Sequence, residues 1–289
     1  MQESFRSRSF LAVVLIAASL PACGGSDDSP SVATSSTPAT ESPSATPPQA
    51  SAQVACSPNG SFTYSGSASQ VAASNGTLAV VVVPSLPVAY QKNRNFTAPA
   101  APASSQVQQA SGAFTTLASS AAATDCLGLE HGAVSDIQGV GSDVAIGRWN
   151  AAMDTDGNTY NLAHGVHYAV GTPLALTATS GTLACTQVIA DTVASTDGSA
   201  SGTLGTASAA LDLGTRTLNN LSMSINLANT NYTLTNTQAP LNGTSATGQL
   251  SIQSVVVGHD ATQPLVALGY SATLPKAQTI GGVVVLSCK

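Results

Sequence analysis

Charge is scarce in this sequence. Only 8% of its 289 residues are charged, with eight Lys and Arg against fourteen Asp and Glu. So few cations cannot track a phosphate backbone, which argues against nucleic acid as a partner. Aromatic residues are only 4% of the chain. A transmembrane barrel needs aromatic girdles at both interfaces, so any barrel here is expected to be water-soluble with its apolar face inward. No apolar run reaches the ~20 residues of a membrane-spanning helix. No two of the five cysteines stand two to four residues apart, the usual spacing of zinc ligands. Catalytic signatures are also missing: no Gly-x-Ser-x-Gly elbow, HExxH helix or P-loop is present. Glutamate is confined to Glu3, Glu41 and Glu130. The chain is therefore read as non-enzymatic, with no cofactor and no metal.

What is present begins with a targeting segment. Arg6 and Arg8 precede an apolar run from Phe10 to Leu20. A basic start, a short apolar stretch and a small-residue cut site describe a secretory signal, expected over residues 1–22. Leu20-Pro21-Ala22-Cys23 resembles the lipobox of bacterial lipoproteins, which implies lipidation of Cys23 and a membrane partner held through that anchor. Gly24 after the cysteine, rather than aspartate, favours the outer membrane by the same resemblance. Cleavage removes Glu3, Arg6 and Arg8 and leaves a formal balance of −7. From Gly24 to Gln53, Ser, Thr, Pro and Ala fill 22 of 30 positions. Such a stretch has too little apolar surface to offset the entropy of ordering, so residues 23–53 are expected to be a lipidated tether.

The remaining 236 residues read as all-β. Leu221, Met223, Ile225 and Leu227 alternate with Asn220, Ser222, Ser224 and Asn226, the period of a half-buried antiparallel strand. Asp156-Gly157, Asp197-Gly198 and Asn242-Gly243 supply the positive φ angles of tight connections. Eight or nine strands are expected from Asp143 onward, near 143–152, 160–170, 181–190, 203–213, 217–227, 230–236, 247–257, 265–274 and 279–287. Their spacing predicts an eight-stranded antiparallel up-and-down soluble barrel over 140–289. A smaller β-rich N-terminal domain is expected over 54–139, with the boundary at Gly139 and Gly141. Within it, Thr77–Val83 reads as a buried strand, while Thr97–Ala123 reads as a loop or a short helix capped at Ser105. Cys56, Cys126, Cys185 and Cys288 form an even set in an oxidising compartment, implying two disulfides in one of three connectivities. Cys56–Cys126 with Cys185–Cys288, stapling each half separately, is the preferred one.

Side chains that could hold a ligand are few. His131, His167 and His259, with Tyr168, are the candidates for a metal or haem site, against the plainer alternative of surface or rim residues. His164 and His167 are three apart on an expected strand and point to opposite faces, so they cannot chelate together. Asp154-Thr-Asp156-Gly-Asn158 looks like the start of a calcium loop, but position twelve is Gly165 where a bidentate acid is required. A hairpin turn is the favoured reading there. Trp149 is read as a core plug.

Ile146-Gly-Arg-Trp149, His167-Tyr-Ala-Val-Gly-Thr-Pro173, Val266-Ala-Leu-Gly-Tyr-Ser271 and Ile280-Gly-Gly-Val-Val-Val-Leu286 carry a family likeness. They resemble the transferrin-binding-protein-like β-barrel domains of Gram-negative surface lipoproteins, across roughly Asp143 to Leu286. The resemblance implies an eight-stranded barrel beside a handle-like domain, with the Gly-Arg-Trp motif on the first barrel strand. Val256-Val-Gly-His-Asp260 stands where that family commonly has Phe-Phe-Gly-Pro. The function so implied is a non-enzymatic binding lipoprotein of the outer membrane, at the cell surface or the periplasmic face. Its barrel loops would contact a host protein or a small ligand such as haem or an iron carrier. The alternatives are a structural or envelope-assembly lipoprotein without a diffusible ligand, and a calyx holding a small apolar molecule. Bulky inward residues such as Leu221 and Leu250 argue against the calyx.

Overall fold

The computed structural model describes residues 55–57, 60–91, 94–247, 249–275 and 278–289, which belong to one compact unit. The signal segment, Cys23 and the tether lie outside the described residues. The fold is all-β, as the alternation predicts. It consists of two sheets, one of which curls into a half-barrel.

The first sheet holds eight strands: β1 (Phe62–Gly66), β2 (Thr77–Ser85), β3 (Phe96–Pro102), β4 (Val107–Gln108), β5 (Phe114–Ala118), β6 (Cys126–Val140), β7 (Val144–Asp154) and β8 (Gly165–Gly171). Their order is β3-β2-β8-β7-β6-β5-β4, and β1 runs parallel to β6. The second sheet holds nine: β9 (Thr182–Ala190), β10 (Thr192–Ser195), β11 (Ser201–Asp212), β12 (Thr217–Leu227), β13 (Thr230–Pro240), β14 (Gly243–Thr247), β15 (Leu250–Val257), β16 (Leu265–Thr273) and β17 (Thr279–Cys288). Its order is β13-β12-β11-β10-β17-β16-β15-β14, with β9 also lying between β11 and β17.

Three expectations are corrected by this pairing. The strands near 143–152 and 160–170, expected to open the barrel, are β7 and β8 of the first sheet, where β8 pairs with β2. The Gly147-Arg148-Trp149 motif therefore does not sit on a first barrel strand. Gly139 and Gly141 fall in the β6–β7 hairpin, so dividing 54–139 from 140–289 cuts one sheet in two. The sheets change instead between β8 and β9. Finally, Thr97–Ala123 holds most of β3 together with β4 and β5, with one 3-10 turn that begins at Ala123 and another at Ala103–Ser105. Gln106 replaces backbone pairing there. Its side-chain amide donates to the Ala118 carbonyl (2.8 Å) and accepts from the Ala118 N–H (2.9 Å).

The second sheet wraps its own core of Leu218, Leu221, Met223, Ile225, Leu227, Leu250, Ile252, Leu268 and Tyr270. Asn220 adopts a positive φ of 55°, and the register against β11 slips there while that against β13 holds; Leu218 and Leu221 are both buried in this core although three residues apart. Each buried aliphatic chain contributes about 1.5–3 kcal/mol. Side chains fill this interior, which disfavours the calyx. Trp149 lies in the core of the first sheet without exposure, and its Nε1–H donates to the Phe114 carbonyl at 2.8 Å.

Between the sheets lies a third apolar layer. Val81, Val83 and Ile146 from the first sheet meet Val255, Val257, Val283 and Val285 from the second. This explains the unbroken apolar run of β2. Leu78, Val80 and Val82 serve one core while Ala79, Val81 and Val83 serve the other, and a strand covered on both faces has no polar side. Two disulfides form, Cys56–Cys126 and Cys185–Cys288, in the preferred connectivity.

Candidate functional site

The most chemically loaded place in the structure is polar and lies at the junction of the two sheets. It starts from a bulge. Four steps from Ala190 to Ala194 oppose three from Val284 to Gly281 on β17, so the strand position shared by β9 and β10 carries one extra residue. Bulges re-aim side chains, and here Asp191, between β9 and β10, is turned toward the first sheet. Its Oδ1 accepts the Val283 N–H at 2.8 Å, and its Oδ2 pairs closely with Nδ1 of His167. On the far side of the ring, His167 Nε2 stands 3.0 Å from Ser85 Oγ. Ser85 is brought there by the β2–β8 register, in which Val83 faces His167 and Ser85 faces Gly165.

Ser85, His167 and Asp191 thus have the hydrogen-bond order of a serine-hydrolase triad. The three side chains are sealed from solvent, and in this conformation the relay is a clasp between sheets. Two glycines make room for it. A Cβ at Gly281 would lie 2.5 Å from Ser85 Oγ, and one at Gly282 would lie 3.0 Å from Asp191 Oδ1. That gives a physical reason for the Gly-Gly step preceding the Val-Val-Val run of β17. Tyr270, also wholly buried, has a hydroxyl without a hydrogen-bond partner. Burial and the nearby Asp191 charge push its phenol well above its ordinary range. Complete burial likewise pushes the Asp191 carboxyl up, against the opposing pull of His167.

A second set of bonds flanks the bulge. Gln138 on β6 donates to the Ala190 carbonyl at 2.8 Å, and Asp136 accepts the Thr192 N–H at 3.3 Å. Asp136 is itself held by Arg148 Nε at 3.0 Å, while Arg148 Nη1 donates to the carbonyls of Leu162 (3.1 Å) and His164 (3.0 Å). A cleft of about 350 Å³ opens beside these groups, lined by Asp136, Gln138, Gln187 and Thr203.

The residues selected from sequence are scattered. Tyr168 adjoins His167 on β8 but points into the first-sheet core, where its hydroxyl accepts the Phe114 N–H at 3.0 Å. His131 is exposed on β6. His259 is exposed after β15, with its Nδ1 against Asp143. The four do not converge, and His167 and Tyr168 are sealed from solvent. Among the described residues no cluster of three or more His, Cys, Asp or Glu is placed to hold a metal. Ser85 and Asp191 were missed because neither carries a local motif. The one signal the sequence offers is a lone Asp between the apolar runs Val188-Ile189-Ala190 and Val193-Ala194.

The stretch resembling a calcium loop is a turn centred on Asp154. Oδ1 of Asp154 accepts the N–H groups of Asp156 (2.9 Å) and Asn158 (3.1 Å). Its other oxygen lies 3.0 Å from Arg94 Nη2, which also pairs with Asp156. The cation facing this turn is a buried guanidinium. Burial raises the Asp154 carboxyl despite that partner.

Comparison with family models, with curated proteins and with solved structures found no match.

Proposed function

We propose that this chain is an outer-membrane lipoprotein, anchored through Cys23, that displays a non-enzymatic binding body at the end of a tether. The observation that carries the reading is Leu20-Pro21-Ala22-Cys23, followed by thirty residues of Ser/Thr/Pro/Ala-rich sequence. A single acyl chain binds membranes only marginally, so the several chains of a processed lipoprotein would make the attachment effectively permanent. The disulfide-stapled body supports export. The sealed relay supports a role for the junction in holding the sheets rather than in catalysis, and rigid sheets carrying loops suit recognition.

The resemblance to transferrin-binding-protein-like lipoproteins belongs to this reading. In it, the second sheet is a barrel of eight strand positions, β9 and β10 sharing one. Closure runs between β13 and β14 through side chains: Ser245 Oγ donates to the Gln238 carbonyl and Asn236 Nδ2 to Thr247 Oγ1, each at 3.4 Å. The first sheet then takes the handle-like place. The partner would be a host protein or a small ligand such as haem or an iron carrier.

Growth with labelled palmitate tests the anchor. Label should appear on the native chain and vanish from Cys23→Ala. Protease shaving of intact cells tests display, with loss of the body expected only if it faces outward. Palmitate-free protein would overturn the reading, and a labelled, shaving-resistant protein that captures neither serum proteins nor haem would favour the envelope-assembly alternative.

A further inference from the structure

A different place in the molecule has the makings of a ligand site. Arg216 lies at the tip of the β11–β12 hairpin, with a positive φ of 58°. Its carbonyl accepts the Leu241 N–H at 2.9 Å, tying that hairpin to the β13–β14 turn. Its Nη2 donates to the Leu176 carbonyl at 3.0 Å, tying it to the connection between β8 and β9. Three separate segments therefore meet at one residue, through its backbone carbonyl and its guanidinium.

That guanidinium is incompletely satisfied. Nη1 is buried and has no hydrogen-bond partner. Arg94 and Arg148 each face an aspartate, but among the described residues no carboxylate lies within ion-pair distance of Arg216. The acid nearest in sequence, Asp212, is engaged elsewhere, accepting the N–H groups of Gly214 (2.8 Å) and Thr215 (2.9 Å). An unpaired charged donor held out of water costs free energy that an anion would recover.

The surroundings select the rest of that anion. Arg216 borders a cleft of about 390 Å³ walled by Leu174, Ala175, Leu176, Leu241 and Val256; the other polar residue of its lining, Asn242, already accepts the Val256 N–H at 2.9 Å. Leu174 and Val256 also border a second hollow of about 380 Å³, whose far side carries the polar Ser74, Asn75 and Thr77 beside Pro99. Mostly apolar walls with a small number of polar groups are the usual construction of a small-molecule site. A single cation, already spending one nitrogen on a carbonyl, matches one negative charge better than the two of a phosphate monoester.

We propose that this cleft binds an aliphatic carboxylate, its head on Arg216 and its acyl chain along Leu174, Leu241 and Val256. The proposal deepens the binding-protein reading above and rests on it for its place in the envelope.

The test uses the full mature chain with Cys23→Ser, so that no detergent competes, and decanoate as the probe in titration calorimetry at neutral pH. One saturable site is expected. Decanol, which keeps the chain and loses the charge, should bind at least tenfold more weakly. Arg216→Asn, chosen because asparagine tolerates a positive φ, should weaken decanoate at least tenfold while decanol is unchanged. Should that variant misfold by thermal unfolding, Leu176→Asp places a carboxylate beside the guanidinium and is expected to abolish decanoate binding. Equal binding of decanoate and decanol, undiminished binding to a folded variant, or no saturable site would each overturn the proposal. Palmitate labelling and shaving read the anchor and display separately, so silence from decanoate overturns the cleft alone.

Discussion

Asp191 from the second sheet and His167 from the first are hydrogen-bonded at full burial, across the junction of the two sheets. Removing one member of such a pair strands the other in an apolar layer. His167→Leu and Asp191→Leu are each expected to destabilise the fold by about 3–5 kcal/mol in urea titrations, with the double variant costing less than the sum. Additive losses would show that the two residues do not act together.

Ser85 occupies the third place in that relay and is sealed. Ser85→Ala should be mild beside the His167 and Asp191 variants, about 1 kcal/mol, since it removes one hydrogen bond to a ring still held by the aspartate. A fluorophosphonate probe should leave Ser85 unlabelled in the native protein; labelling would mean that the junction opens.

The Arg94–Asp154 pair makes a pH-dependent prediction. Burial raises the Asp154 carboxyl, so the folded state holds this proton more tightly than the unfolded chain does. The cost of keeping the carboxylate buried and charged is therefore felt at neutral pH and relieved by acid. Arg94→Met should cost about 3 kcal/mol or more at pH 7, and the deficit relative to the parent should shrink as pH falls toward 4. A deficit that stays constant over that range would sink this account. Calcium should leave the melting temperature of the parent unchanged.

His164 titrates in the opposite sense. Burial holds its imidazole below the ordinary range, against the Thr196 carbonyl and the Asp197 carboxylate. Its Nδ1 accepts the Asn161 N–H at 3.3 Å, and its Nε2 is buried without a partner. The unfolded chain takes up this proton first, so stability falls as pH drops through about 6.5. His164→Gln should show a smaller loss of melting temperature between pH 7.5 and 5.5 than the parent.

Cys185 and Cys288 face each other directly in the β9–β17 ladder and close a loop of 103 residues. A loop of that size corresponds to about 4–5 kcal/mol in the chain-entropy account. The pair Cys185→Ser and Cys288→Ser should lower stability more than Cys56→Ser with Cys126→Ser, whose loop is 70 residues and ties the end of the body rather than two central strands. The reverse ranking in denaturant titrations would count against that account.

Much of the architecture was legible in the chain. The Leu221–Leu227 alternation predicted a half-buried strand, and those four residues are buried on one side of β12. The Asp-Gly and Asn-Gly steps sit in turns, with Gly157 and Gly198 at positive φ and Asn242 taking that role in its own turn. The placement of β7 and β8 was not legible. Val144–Trp149 carries the same apolar character as a barrel strand, and a strand's side-chain period says which faces are covered without saying which neighbour supplies its hydrogen bonds.

The sequence by itself determined that this protein is a β-structure low in charge, with cysteines able to pair, because composition and period-two patterning are local properties. Only the tertiary structure decided where one sheet ends and the next begins, and that Ser85, His167 and Asp191 meet. Those residues lie 82 and 24 positions apart, and no local spacing can encode a contact that depends on strand pairing and on one bulge at Asp191.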